Sequence, residues 1–243
     1  MRAMIFAAGR GERMRPLTDA TPKPLLAVGG KPLVVWQIEA LARAGIVDIV
    51  INHAWLGEQI EAALGDGSRY GVRLRYSAEG SALETAGGIA KALPLLMEHP
   101  GDARGEIFLA VSGDIYCDYD YRRLLPRAAA MAGSPDPLMH LVMVPNPPFH
   151  PTGDFALGAD GLLALEGGER RTFGNIGLYD SRLFADIAPG QKVAMTPYYR
   201  AAITAGRASG ECYGGRWENV GTPAQLAALD RALQVELPPP AVT

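Results

Sequence analysis

Cysteine is nearly absent from this chain: there are two in 243 residues, Cys117 and Cys212, far apart and in no metal-ligand spacing. Two thiols cannot staple a chain of this size, which points to a reducing compartment and a fold held by burial. The simplest expectation for both is a small buried hydrophobe. A basic excess is also missing, since 23 lysines and arginines face 26 aspartates and glutamates for a net charge of −3. Without one the chain has little to offer a polyanion, which excludes a general nucleic-acid or membrane-surface binder. No apolar run approaches the roughly 20 residues that cross a bilayer. The start, Met1 to Gly9, is a short apolar run followed by Arg10, Arg13 and Arg15, which fails the pattern of a secretory signal. Together these absences predict a soluble, cytoplasmic protein with neither nucleic acid nor membrane as partner.

What is present is a rhythm. Some 48% of the residues are hydrophobic and 20% charged, ordinary globular material in a chain long enough to bury a sizeable core. Strands are predicted over 4–7, 48–52, 72–76, 107–111 and 138–144, and helices over 33–44, 57–64, 85–96 and 121–132. Gly45 and Gly65 stop the first two helices. Such alternation builds βαβ units, hence an α/β, Rossmann-like fold with a mostly parallel sheet flanked by helices on both faces. Ligands of such sheets gather at the carboxyl ends of the strands. After Pro145-Asn146-Pro147-Pro148 the elements shorten. Strands are expected over 155–157, 162–165 and 174–179, helices over 195–205 and 223–233, and a strand pair from 208–213 and 216–220. That part is too broken for its own core. The reading is one domain, 1–235, made of a first half, 1–144, and a smaller β-rich, lid-forming half, 145–235, then a flexible tail, 236–243.

The first strand runs into Ala7-Ala8-Gly9-Arg10-Gly11-Glu12-Arg13-Met14-Arg15-Pro16-Leu17-Thr18, followed by Thr21-Pro22-Lys23-Pro24. Glycines let the backbone turn sharply and approach a ligand, and successive N–H groups in such a turn form a nest for anionic oxygen. Arg13 can fork onto phosphate oxygens, and Lys23, fixed between two prolines, supplies a single positive charge. A dinucleotide fingerprint would need a small residue where Met14 stands, and a Walker A loop would need Gly-Lys-Ser/Thr; neither occurs. A bare G-x-G is commonly only a tight turn; the strand, G-x-G-x-R and P-K-P together are far more specific. Ser112-Gly113-Asp114 ends the fourth strand at the crevice edge, where an aspartate is a natural Mg²⁺ ligand. Asp118 and Asp120 read instead as caps of the following helix.

This combination resembles the signature of sugar-1-phosphate nucleotidyltransferases, from Met1 to about Leu233. The resemblance implies a nucleotide-binding half, 1–144, and a sugar-binding half, 145–235. It implies that Ala7, Ala8, Gly9, Gly11 and Arg13 wrap a triphosphate whose charge Arg13 and Lys23 balance. Glu79, Leu83 and Thr85 would lie at the base, and Gly88 at the sugar. Asn175 and Gly177, in Phe173-Gly174-Asn175-Ile176-Gly177-Leu178-Tyr179, match a strand that contacts the sugar. Arg13, Lys23 and Asp114 form the expected catalytic set, with Asp114 close to sugar and metal alike. The family's second metal aspartate sits in a Trp-x-Asp-Val-Gly-Thr pattern. Here Trp217-Glu218-Asn219-Val220-Gly221-Thr222 puts an asparagine there, whose amide oxygen can still coordinate Mg²⁺.

Segments 50–57, 65–71 and 83–88 are most similar to the branch of the family that acts on N-acetylmuramate 1-phosphate, which implies UTP as the favoured nucleoside triphosphate. A lactyl carboxylate on the sugar calls for a cation, and Arg170, Arg171 and Lys192 are the candidates; the nucleotide phosphate is the alternative partner for Lys192. Within the same reaction class, guanylyl transfer to mannose 1-phosphate and uridylyl or thymidylyl transfer to glucose 1-phosphate stay open. From another class stands a nucleotide-binding regulatory subunit without turnover. His53 and His150 show no carboxylate or serine partner in the sequence and receive no catalytic role.

Overall fold

The structure, a computed structural model, describes residues 1–99 and 104–236. The first half contains β1 (Ala3–Phe6), α1 (Leu17–Ala20), β2 (Ala27–Val28), β3 (Lys31–Pro32), α2 (Leu33–Arg43), β4 (Asp48–His53), α3 (Gly57–Leu64) and β5 (Arg73–Ala78). It continues with α4 (Glu84–Leu96), β6 (Ile107–Ser112), β7 (Ile115–Cys117), α5 (Leu125–Ala132) and β8 (Met139–Val144). The second half holds β9 (Phe155–Leu157), β10 (Leu163–Ala164), β11 (Arg170–Asp180), α6 (Thr196–Thr204), β12 (Ala208–Cys212), β13 (Trp217–Asn219) and α7 (Pro223–Glu236). Of the expected flexible tail, 237–243 lies outside the described residues.

Strands β6, β1, β4 and β5 run parallel, side by side. Their continuous apolar runs make sense only with cover on both faces. Ala3 and Ile5 of β1 pack with α2 and α3, whereas Met4 between them packs with α4. The period of two along a strand thus assigns each residue to one helical layer. The sheet is extended by the second half: β11 lies antiparallel to both β6 and β8, and β9 and β10 follow it. The second apolar cluster joins Met4 and Val50 to Met195, Ala202 and Ala208, so residues of both halves share it. No helix among the described residues is long and apolar enough to cross a membrane.

Three expectations need correction. The two strands near the C-terminus exist but do not pair with each other. β12 joins the edge of β8 in parallel, where every residue of β8 is buried and its edge needs covering. β13 pairs antiparallel with β7, which follows Asp114 directly. The helix expected over 121–132 opens as a 3-10 turn, Tyr121–Leu124, because Pro126 can enter α5 only in its first turn. Cys212 is exposed and Cys117 half-buried; both are free. Asp120 does cap the 3-10 turn, accepting from the Arg122 amide at 3.1 Å.

A third cluster sets the position of the C-terminal segment. Leu229 and Leu233 of α7 pack with Met14, Val28 and Val220. The Gly29 amide donates to Asp230 Oδ1 at 2.8 Å.

Candidate active site

Beyond β1 the chain turns across the carboxyl end of the sheet. The Ala7 amide donates to Asn52 Oδ1, 3.0 Å away, which ties the loop to β4. Gly11 has φ +67°, and a Cβ there would stand 3.0 Å from Thr18 Cγ2 and 3.1 Å from Lys23 Cβ. Glycine is therefore required by conformation and by space. The Gly11 carbonyl accepts from the Met14 amide at 2.9 Å and from the Thr18 hydroxyl at 2.8 Å. Arg10 is committed elsewhere, donating to the Thr18 carbonyl at 2.8 Å with its guanidinium 3.7 Å from the centre of the Trp55 ring. Arg13 instead lines a cavity of about 250 Å³ with Gly9, Gly11, Lys23, Asp114 and Gly221.

Lys23 is nearly buried, and its Nζ lies 2.5 Å from Asp114 Oδ2. The pair also lines an adjoining cavity of about 240 Å³, together with Ala7, Ala8, Asn52 and Thr85. In that cavity the polar side chains are tied to one another. Asn52 Nδ2 donates to Glu79 Oε1 at 2.6 Å, and the Leu83 amide donates to Glu79 Oε2 at 2.8 Å. The Leu83 carbonyl in turn accepts from the Val193 amide at 2.9 Å. Glu79 and Leu83 hold the loop before α4 in place. Gly88 is buried beneath them; a Cβ there would stand 2.5 Å from Glu79 Oε1 and 3.0 Å from Asn52 Nδ2. Asn52 was not singled out from the sequence, and nothing in its strand context marks it except polarity inside an apolar run.

On the other side of Asp114, β13 brings Asn219 opposite Ile115, and the Val220 amide donates to the Asp114 carbonyl at 3.0 Å. Asn219 Oδ1 is buried and has no hydrogen-bond partner. A buried carbonyl oxygen without a donor costs about 1–3 kcal/mol, a cost that a cation bound there would relieve. Asn219 lines a cavity of about 650 Å³ and Asp114 the two beside the loop, so among the described residues the two side chains have no cavity in common. The oxygens they offer are one carboxylate and one amide. That suits Mg²⁺, which takes one or two protein ligands and completes its shell with water and phosphate. No cluster of three His, Cys, Asp or Glu side chains able to hold a metal occurs among the described residues.

The second half supplies a larger wall. The β11–β8 register shifts between Phe173 and Gly177, a bulge that holds Asn175 at φ +56°. Bulges re-aim side chains, and Asn175 here lines two connected cavities, of about 390 and 650 Å³. The smaller shares Phe6, Thr85 and Ser112 with the Lys23–Asp114 cavity, so the clefts form one trough. Gly177 is packed instead, since a Cβ on it would lie 2.8 Å from the Tyr179 hydroxyl. Lys192 sits 3.8 Å from Glu84 and is exposed. Arg171 pairs with Glu169 at 3.2 Å, whereas Arg170 lines the large cavity.

Both histidines set aside in the sequence do have carboxylate partners. His53 Nε2 is 2.7 Å from Glu61 Oε1, and His150 Nε2 is 3.1 Å from Asp154 Oδ1. The His53 pair spans the turn between β4 and α3. His150 and Asp154 line the large cavity. Thr196, Tyr199 and Arg200 of α6 line it too and were missed. Their i, i+3, i+4 spacing was the available signal.

A loop turned at Gly11, a buried lysine paired with an aspartate and connected cavities at the carboxyl end of the sheet fit phosphoryl chemistry on a nucleotide. The model of the Nucleotidyl transferase family matches residues 2–148, and the chain belongs to that family. It is 49% identical to N-acetylmuramate alpha-1-phosphate uridylyltransferase of Neisseria meningitidis serogroup B over 93% of this chain and 95% of that protein. It is 34% identical to the protein of the same name from Caulobacter vibrioides, over 94% and 96%. In fold it matches a Bacillus anthracis structure described as a glucose-1-phosphate thymidylyltransferase bound to sucrose. That match has a TM-score of 0.80 and 20% identity, covering 96% of this chain and 95% of that one.

Proposed function

We propose that this nucleotidyltransferase transfers the uridylyl group of UTP to N-acetylmuramate 1-phosphate, giving UDP-N-acetylmuramate and pyrophosphate in a cell-wall sugar recycling route. The names of two relatives matched over nearly their whole length support the substrates. The observation that carries the chemistry is the Lys23–Asp114 pair, 2.5 Å apart, shared by the two cavities of the nucleotide end. The halves 1–144 and 145–235 act as one domain, because the trough draws its walls from both. Free cysteines and the lack of a membrane-crossing helix among the described residues fit a cytoplasmic setting.

A sugar phosphate with a second pKa near about 6 is largely dianionic at neutral pH and needs no general base. One of its oxygens attacks the α-phosphorus in line; the new P–O bond forms as the bond to the bridging oxygen breaks, and pyrophosphate leaves with that electron pair. Catalysis is then positioning and charge neutralisation. The amides of the loop at Ala8, Gly9 and Gly11 face the phosphates, Arg13 forks onto their outer oxygens, and Lys23 releases Asp114 to neutralise them. Asp114 and Asn219 would hold Mg²⁺, which supplies charge stabilisation to the phosphoryl oxygens. Thr85 and the backbone near Leu83 border the base, and Asn175 offers both donor and acceptor to sugar hydroxyls.

The test is pyrophosphate release with Mg²⁺, crossing UTP, GTP, dTTP and CTP against the 1-phosphates of N-acetylmuramate, N-acetylglucosamine, glucose and mannose. Turnover confined to UTP with N-acetylmuramate 1-phosphate is the expected result. Turnover with a different pair discards the substrate and keeps the chemistry. Nucleotide binding without pyrophosphate from any pair would identify a regulatory subunit.

A further inference from the structure

N-Acetylmuramate 1-phosphate differs from N-acetylglucosamine 1-phosphate by a lactyl ether, and so by one carboxylate. A site that selects it must give that carboxylate a cation. The structure separates the cations that the sequence offered. Lys192 lies beside Glu84, at the end of the trough where Thr85 meets the nucleotide cavity. Arg171 is paired with Glu169. Arg170 lines the large cavity but spends Nη2 on the Asp154 carbonyl, 2.5 Å away.

Arg200 is the other arginine on that wall. It is exposed, and it has no ion-pair partner among the described residues. Its surroundings suit a substituted sugar. Tyr199 is met edge-on by Phe155 at 5.8 Å and Phe173 at 5.6 Å between ring centres, giving an apolar floor. Phe149, on the same cavity, is 55% exposed, an apolar ring left open to a ligand. The carboxylates on the wall are Asp154 and Glu166. Asp154 accepts from the Phe173 amide at 2.8 Å and pairs with His150, while Glu166 is exposed. With two arginines against two carboxylates the wall has little net charge. An anion there is held by a directed fork rather than by a diffuse positive field.

We infer that Arg200 binds the lactyl carboxylate and determines specificity for the muramyl substituent, an inference resting on the uridylyltransferase reading above. The planar guanidinium takes a carboxylate through two parallel N–H···O bonds. Because Thr196, Tyr199 and Arg200 share one face of α6, hydroxyl, ring and fork approach the sugar together.

The experiment compares kcat/KM for N-acetylmuramate 1-phosphate and its lactyl carboxamide analogue, with UTP and Mg²⁺, in the wild type, Arg200→Ala and Arg200→Lys. The wild type should prefer the acid by about 10- to 100-fold, the worth of a charge-assisted hydrogen bond. In Arg200→Ala that preference should collapse toward one, with the loss on the acid falling mainly in KM; Arg200→Lys should restore part of it. No preference in the wild type overturns the inference. So does an Arg200→Ala enzyme that keeps the wild-type preference or loses acid and amide equally. If the wild type turns over another sugar phosphate and no muramyl compound, the uridylyltransferase reading itself falls, and the wild-type row alone reveals it.

Discussion

The two walls of the trough are built on opposite terms. At the nucleotide end the polar groups are tied to each other: Ala7 to Asn52, Asn52 to Glu79, Glu79 to Leu83, Leu83 to Val193. What that end presents to a ligand is backbone at fixed distance plus two cations, Arg13 and Lys23. At the sugar end the presented groups are side chains, with Arg200 unpaired among the described residues and Asn175 aimed by a bulge. Triphosphate is common to every substrate of such chemistry and can be met by rigid backbone. The sugar is the variable partner, and the side chains proposed to meet it are ones that point mutation can exchange without rebuilding the loop.

The comparison can be broken most severely at Asp114, which lines both cavities beside the loop. Asp114→Ala should lower kcat by on the order of 10³-fold or more while the unfolding midpoint stays near that of the wild type. Retained turnover at saturating Mg²⁺ would remove Asp114 from the chemistry. Rigidity at the nucleotide end is tested next by Gly88→Ala, whose methyl must displace Glu79 or Asn52. Overpacking of this kind costs about 1–3 kcal/mol. KM for UTP should rise more than KM for the sugar phosphate, and an equal rise in both would show that the loop is not specific to the nucleotide.

A third change probes the joint behind the trough. Glu211 on β12 accepts from the Tyr119 hydroxyl at 2.8 Å and lies 3.1 Å from Arg123 and 3.5 Å from His140. Burial alone would raise its carboxyl, but the nearby His140 ring, the Tyr119 bond and the charge of Arg123 hold it below the usual range. A lowered folded value contributes stability that is present above the unfolded carboxylate pKa of about 4.3 and is lost as pH falls through the folded value. Glu211→Gln should therefore cost about 1–2 kcal/mol at pH 7 and flatten the acid limb of stability measured by urea unfolding from pH 7 to 3. An unchanged acid limb would assign that limb to other carboxylates. The mildest change is Asn219→Asp, which adds charge to the amide proposed above as a Mg²⁺ ligand. The Mg²⁺ concentration for half-maximal turnover should fall several-fold, and a dead variant would show that Asn219 faces something other than metal.

The same contrast explains what the sequence made legible. The alternation of strand and helix through residue 144 was readable because most of the strands are apolar runs and α2 and α3 are stopped by Gly45 and Gly65. The phosphate loop was readable because its backbone needs glycine at position 11 and proline around Lys23. Pairing of β13 with β7 was not, since two short strands some hundred residues apart (Trp217 opposite Cys117) carry no local record of each other. His150 with Asp154, only four residues apart, was overlooked for want of a helical or strand context to give the spacing meaning. Arg200 was hidden among surface charges. What sets it apart is the absence of a partner, and an absence is visible only once every neighbour has been placed.

The ladder between β7 and β13 also bears on how the protein is made. Asp114, Lys23 and the glycine loop all leave the ribosome long before Asn219, and the helix that packs Leu229 and Leu233 against Met14 comes later still. A nascent chain of about 150 residues already carries the strands β1, β4, β5 and β6, yet it lacks the strand that pairs with β7 and the helix packed behind its loop. Domains fold as units while they are synthesised. Here the last strand and helix close the structure around the loop, so that a product truncated before Trp217 has β7 unpaired and Met14 without Leu229 and Leu233.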